Sequence, residues 1–198
     1  MAGILTFDAE QHRYMLDGQP VPSVTRIMQS AGLIDYGFLP PDQRERAMAR
    51  GQAVHTAAHF DDEGDLDEAT ISSEVGGYLD GWRQFRRDAA FAPELIEYRG
   101  CNQKLRFAGT LDRIGGNGIG PKWLVDLKTG TALWSVRVQL AAYASFFDHP
   151  GAFRRLSVEL HQDGTYRLDE FRCTDWARDF GLFQAALAIF RAKEEHSR

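Results

Sequence analysis

Two carboxylates and a lysine occupy positions that a folded chain can bring together. Asp112 lies within the apolar run Gly109-Thr110-Leu111-Asp112-Arg113-Ile114, and Asp126 and Lys128 lie within Leu124-Val125-Asp126-Leu127-Lys128-Thr129-Gly130. Side chains at i and i+2 of a strand share a face, so the second run presents a carboxylate and an ammonium side by side. The connection Gly115-Gly116-Asn117-Gly118-Ile119-Gly120-Pro121 suits a hairpin that carries Asp112 next to them. Two carboxylates for a hard divalent cation, with a lysine beside them, equip a site to hydrolyse a phosphodiester. Plainer readings stand alongside: Asp112 as an exposed position on a half-buried strand, and Asp126 with Lys128 as an ordinary ion pair.

Two further groups are candidates. Gln139 and Tyr143 are four apart, so on a helix they share one face. That face either lies over the site and contacts substrate phosphates, or is a polar shoulder with Tyr143 half buried. His55, in Gly51-Gln52-Ala53-Val54-His55, is either structural or a metal ligand. His55 and His59 are four apart and suit zinc, which leaves a zinc-dependent hydrolase as an alternative. No Glu follows His55 as in His-Glu-x-x-His, however, and the sequence names no third ligand.

The composition permits an enzyme. A chain of 198 residues with 43% hydrophobic and 26% charged residues suits one soluble domain, 1–198, with a sizeable core. It divides into an N-terminal hairpin with helices (1–92), a sheet with the site (93–173) and a closing helix (174–198). No apolar run approaches the ~20 residues of a membrane span, and no secretory signal is evident, so the expected location is cytoplasmic. Cys101 and Cys173 are too few for a disulfide framework or a four-thiolate cluster. A net charge of −5 argues against a protein that coats nucleic acid electrostatically, but not against an enzyme acting on it.

The elements that must position these residues follow from periodicity. Ile4–Phe7 and Arg13–Leu16 read as strands, with Asp17-Gly18 as a turn signal after them, and Ser23 caps a short helix that Gly32 stops. Pro41 opens a helix through about His59, and Glu74–Phe91 forms another, carrying Val75, Tyr78, Leu79, Trp82 and Phe85 at helical spacing and stopped by Pro93. The acidic cluster 61–68 between them reads as a solvated loop. It is no calcium hand, since Leu66 stands where a Gly is needed. Arg83, Arg86 and Arg87 form a basic patch suited to tracking a phosphate backbone. Strands follow at Leu95–Arg106, Ala108–Ile114 and Lys122–Leu127, then a helix over Trp134–Phe147. A hairpin of Phe153–His161 and Thr165–Cys173 and a helix over Asp175–Lys193 complete the chain. The glycine-rich segment before Lys122 is a hairpin and not a phosphate-binding loop, because Pro121 intervenes and a strand follows. The expected fold is α/β, a central mixed sheet flanked by helices.

The ordered set Gly51-x-x-x-His55, Gly109-Thr110-x-Asp112, Asp126-x-Lys128-Thr129-Gly130 and Gln139-x-x-x-Tyr143 resembles the PD-(D/E)XK nuclease superfamily. Within it the likeness is to the RecB-type exonuclease branch, which includes CRISPR-associated, mitochondrial and phage nucleases. Pro22-Ser23-Val24-Thr25-Arg26-Ile27 also resembles the N-terminal segment of phage and mitochondrial members. The resemblance implies a restriction-endonuclease-like α/β/α core and a Mg²⁺- or Mn²⁺-dependent DNA exonuclease serving recombination or repair in a phage, prophage or cell. Asp112 and Asp126 would be acidic metal ligands, the Leu127 carbonyl and His55 further ligands, and Lys128 the lysine that activates the attacking water. Gln139 and Tyr143 would contact substrate. Glu97 would match an acidic residue that some members carry upstream. Iron–sulfur members need four cysteines, so no cluster is expected. The implied partners are DNA, as single strands or duplex ends, and a recombination or replication protein. The rival on the same fold is an inactive nucleic-acid-binding or protein-interaction module.

Overall fold

The computed structural model describes residues 3–35, 37 and 40–196. Three short antiparallel strands come first: β1 (Leu5–Asp8), β2 (Arg13–Leu16) and β3 (Gln19–Val21). Asp17 and Gly18 both take positive φ, 54° and 72°, which makes the two-residue turn between β2 and β3. The sequence conceals β3 because Pro20 lies within it. As an edge strand, β3 loses no ladder bond to the missing N–H. The helix α1 (Val24–Ser30) follows, with the Ser23 hydroxyl accepting the Arg26 N–H at 3.1 Å and Gly32 at φ 73° past its end.

Two long helices, α2 (Pro41–Glu63) and α3 (Ser73–Asp88), precede the main sheet. That sheet holds β4 (Ala92–Asn102), β5 (Phe107–Gly116), β6 (Trp123–Lys128), β7 (Arg154–Leu160) and β8 (Tyr166–Phe171), in that spatial order. Only β6 and β7 run parallel, and the helix α4 (Val136–Ala144) makes the crossover between them. The last helix is α5 (Trp176–His196). One apolar cluster gathers α1, α4 and α5 with Phe107, Leu124 and Phe183, and a second gathers α2 and α3 with Val125, Leu127 and Val158. The expected α/β architecture, a mixed sheet flanked by helices, is present. No helix among the described residues is long and apolar enough to cross a membrane.

Four local expectations need correction. First, the segment 61–68 is a solvated loop only from Gly64 onward: Asp61–Glu63 complete α2, and the Asp62 side chain is fully buried. Its carboxylate accepts the Trp82 indole N–H at 2.9 Å and pairs with Arg86 at 2.7 Å and with the buried Arg113. Three successive charges hid the fact that one points inward, and only the partners on α3 and β5 reveal it. Second, Arg83 is held by Asp61 and Glu68, and Arg86 by Asp61 and Asp62. Ion-paired guanidiniums offer little charge to a phosphate backbone, so Arg83 and Arg86 brace the helices, while Arg87 is exposed. Third, α3 ends at Asp88, before Pro93, and Pro93 lies inside the edge strand β4 beside a register shift. Fourth, α4 is shorter than Trp134–Phe147 and is buried on nearly every side, since it runs between the sheet and α5.

Candidate metal centre

The site lies where α2 meets β4, β5 and β6. The antiparallel register sets Arg113 opposite Val125, so Asp112 and Asp126 are the next neighbours across β5 and β6. The Asp112 Oδ2 accepts the Leu127 N–H at 2.7 Å. That bond anchors one carboxylate oxygen on the backbone and leaves Oδ1 directed at His55, 3.7 Å from Nδ1.

His55 is placed by its other nitrogen. Nε2 lies 3.1 Å from the Leu127 carbonyl oxygen, so Nε2 carries the proton and donates. In the neutral ring Nδ1 then keeps its lone pair, and it faces two carboxylates, Asp112 and Glu97, the latter at 3.8 Å. A hydrogen bond from the far ring nitrogen to a carbonyl fixes the tautomer and the orientation of a ligating imidazole. The Leu127 carbonyl thereby serves as the acceptor that orients His55, with one lone pair left over.

Glu97 completes the group. The ligand atoms of His55, Glu97 and Asp112 all lie within 4.8 Å of one another, although the residues come from α2, β4 and β5. Tyr98 pairs with Leu111 and Ile96 with Arg113, so Glu97 falls opposite Asp112. Glu97 takes φ 48°, a left-handed conformation unusual for a non-glycine residue in a strand. Burial works to raise the Glu97 pKa, but the neighbouring His55 and the Arg113 guanidinium outweigh it and hold the carboxyl below its ordinary value. For His55, burial works downward while Asp112 and Glu97 prevail and raise the pKa. Two carboxylate oxygens and one imidazole nitrogen could hold a divalent cation, the carboxylates suiting Mg²⁺ or Mn²⁺ and the imidazole a softer ion such as Zn²⁺.

Asp126 and Lys128 share a face as i and i+2 require: Lys128 Nζ lies 2.7 Å from Asp126 Oδ2. Asp126 is buried, and burial raises its pKa most, with Lys128 pulling downward and Asp112 adding to the rise. It lies beside the three-residue group and is not one of its members. His59 is also outside the group and pairs with Glu63 at 3.2 Å along α2, so no His55–His59 pair forms around a common centre.

Tyr143 covers the site from α4. Its ring is buried and its hydroxyl accepts a hydrogen bond from Gln139 Nε2 at 3.1 Å. Burial is the main cause that pushes its phenol above the ordinary value, and Asp112 and Asp126 push the same way. The close approach explains Gly109: a Cβ there would fall 2.7 Å from Tyr143 Cε1. Gly109→Ala is therefore expected to displace Tyr143 and cost about 1–3 kcal/mol, read by urea unfolding. An unchanged midpoint would show that the ring moves freely. Gly51 has no such reason, since a Cβ there meets only Thr129 Oγ1 at an ordinary 3.5 Å.

Sequence reasoning missed what braces the site. Arg113 is fully buried and donates to Asp62, to Glu97 at 3.2 Å and to the Asp112 carbonyl at 2.7 Å. The available signal was a guanidinium inside an apolar strand, which demands a buried partner. That partner, Asp62, lies 51 residues away. No family model matches the chain, and no curated protein matches it.

Proposed function

We propose that this protein is a metal-dependent DNA nuclease of the RecB-type branch of the PD-(D/E)XK superfamily, acting as an exonuclease in recombination or repair. The observation that carries this reading is the convergence of His55, Glu97 and Asp112 from three elements, with the Asp126–Lys128 pair on the adjoining strand. Those residue types serve phosphodiester hydrolysis, and a mere binding module gains nothing from burying Asp126 beside Asp112.

His55, Glu97 and Asp112 would hold Mg²⁺ or Mn²⁺, with Asp126 at its edge. When bound, the ion supplies a water of lowered pKa and positive charge against the phosphate. The chain's own residues do the rest. Asp112 is locked to the β6 backbone, so its free oxygen keeps one position. Lys128 reaches out from β6 about one-quarter exposed, held by Asp126, and its ammonium meets the charge that grows on the nonbridging oxygens. Tyr143 is buried near Asp112 and Asp126. DNA, a cytoplasmic location and a recombination or replication partner belong to this reading.

Incubating end-labelled single- and double-stranded DNA with Mg²⁺ or Mn²⁺ tests it. The expected result is cleavage that EDTA stops and that Asp112→Asn lowers by at least about 100-fold, since the variant loses a ligand charge. Absence of cleavage with either ion, or cleavage indifferent to EDTA, would overturn the reading.

A further inference from the structure

The row of β4 and β5 next to the carboxylates carries a different chemistry. Arg99 pairs with Thr110, and Thr110 is two residues from Asp112, so Arg99, Thr110 and Asp112 share a face. The N-terminal sheet docks onto this row. The Tyr14 hydroxyl lies 2.6 Å from Thr110 Oγ1, and the Arg99 guanidinium lies 4.5 Å from the centre of the Phe7 ring. Phe7 faces Tyr14 across β1 and β2 with their rings 4.7 Å apart, and meets the His12 ring edge-on at 5.1 Å. Tyr14 is buried, Phe7 is half-buried, and Arg99 and His12 are exposed.

Docking of the small sheet does not need Arg99. The Tyr14–Thr110 bond, the Ala108 N–H donated to the Pro22 carbonyl and the buried cluster of Tyr14, Leu16, Val21 and Ala108 already hold it. An exposed guanidinium over an aromatic ring, one row from a phosphodiester site, is instead a surface on which a base stacks while its phosphate meets positive charge. Beyond His12 and Tyr14 the surface opens into a cavity of about 150 Å³ that Arg13 also lines, so positive charge continues in that direction.

We propose that Phe7 and Arg99 form a stacking platform that takes an unpaired nucleobase and its phosphate, so that the site engages single-stranded DNA. A base within a duplex has both faces covered by its neighbours and cannot use such a platform. The proposal rests on the nuclease reading for its substrate, but its test does not require turnover.

The test measures binding of a fluorescein-labelled oligothymidylate of about 15 nucleotides by fluorescence anisotropy, with Ca²⁺ in place of Mg²⁺. Wild type is expected to bind the single strand more tightly than the matching duplex. Phe7→Leu and Arg99→Ala should each weaken single-strand binding about tenfold, and Phe7→Tyr, which keeps an aromatic face, should restore it. Should Phe7→Leu loosen the N-terminal sheet, Arg99→Ala decides, because its side chain is exposed. Equal affinity for duplex and single strand, no binding by wild type, or affinity within about twofold of wild type for Arg99→Ala would overturn the proposal. Wild type that binds through Phe7 and Arg99 yet cleaves nothing would uphold the platform and end the nuclease reading. Cleavage by wild type with undiminished binding in both variants would do the reverse.

Discussion

Lys128→Ala is expected to lower DNA cleavage by about 100- to 1,000-fold while leaving Mn²⁺ binding largely intact. Two roles meet in this side chain. Its ammonium lies 2.7 Å from a buried carboxylate and keeps Asp126 from standing as an uncompensated charge. It is also about one-quarter exposed, so the same group reaches the space where a phosphate would sit. A charge that strengthens its interaction only as the phosphorane forms acts on kcat, not on KM. The ligand atoms of His55, Glu97 and Asp112 do not include Lys128, so the variant keeps them. Single-turnover cleavage gives the rate and titration calorimetry with Mn²⁺ gives the affinity. Cleavage at the wild-type rate would remove Lys128 from the chemistry. Loss of Mn²⁺ binding in parallel with activity would make its role the neutralisation of Asp126 alone.

The division between what the residues announced and what they concealed follows from the range of the interactions. Asp126 and Lys128 were legible because strand alternation is local: two residues apart on one strand is one face. Asp112 was legible because a glycine-rich hairpin joins its strand to theirs, and the register of β5 on β6 bears that out. The helix spacing of Val75, Tyr78, Leu79, Trp82 and Phe85 named five residues that are all buried. Glu97 was harder. Its place opposite Asp112 depends on the turn between β4 and β5, whose length the sequence does not reveal, and on a left-handed backbone at a glutamate. Asp62 was illegible. Inside Asp61-Asp62-Glu63 every neighbour argues for solvent, and only an arginine on a strand formed later in the chain draws one of the three inward. Charge pattern along a sequence shows how many ions there are, whereas pairing across elements determines which of them are buried.

That buried pair carries the other large effect. Arg113 and Asp62 both have fully buried side chains, and Trp82 and Arg86 also bind the Asp62 carboxylate. Arg113→Met removes the guanidinium, leaves Asp62 with the partly exposed Arg86 as its cation, and frees Glu97 from its only arginine contact among the described residues. Breaking a buried pair from one side costs about 3–5 kcal/mol, because the remaining charge is left poorly compensated. The double variant Asp62→Asn with Arg113→Met removes both charges and keeps a carbonyl oxygen for the Trp82 N–H. It is therefore expected to be more stable than Arg113→Met alone, a coupling that urea unfolding of the four proteins in the cycle measures directly. Strict additivity would mean that the two charges do not sense each other. The same substitution reaches the site, since Arg113 holds Glu97 and the main chain of Asp112. Partners of ligands, once removed, weaken metal binding by about 10–100-fold. The stabilised double variant should still show that loss, because Asp62→Asn relieves the stranded charge in the core and returns nothing to Glu97. Recovery of stability without recovery of Mn²⁺ affinity would separate the two functions of one guanidinium: closing the α2–β5 interface, and aiming a carboxylate that the backbone at Glu97 has already turned toward the centre.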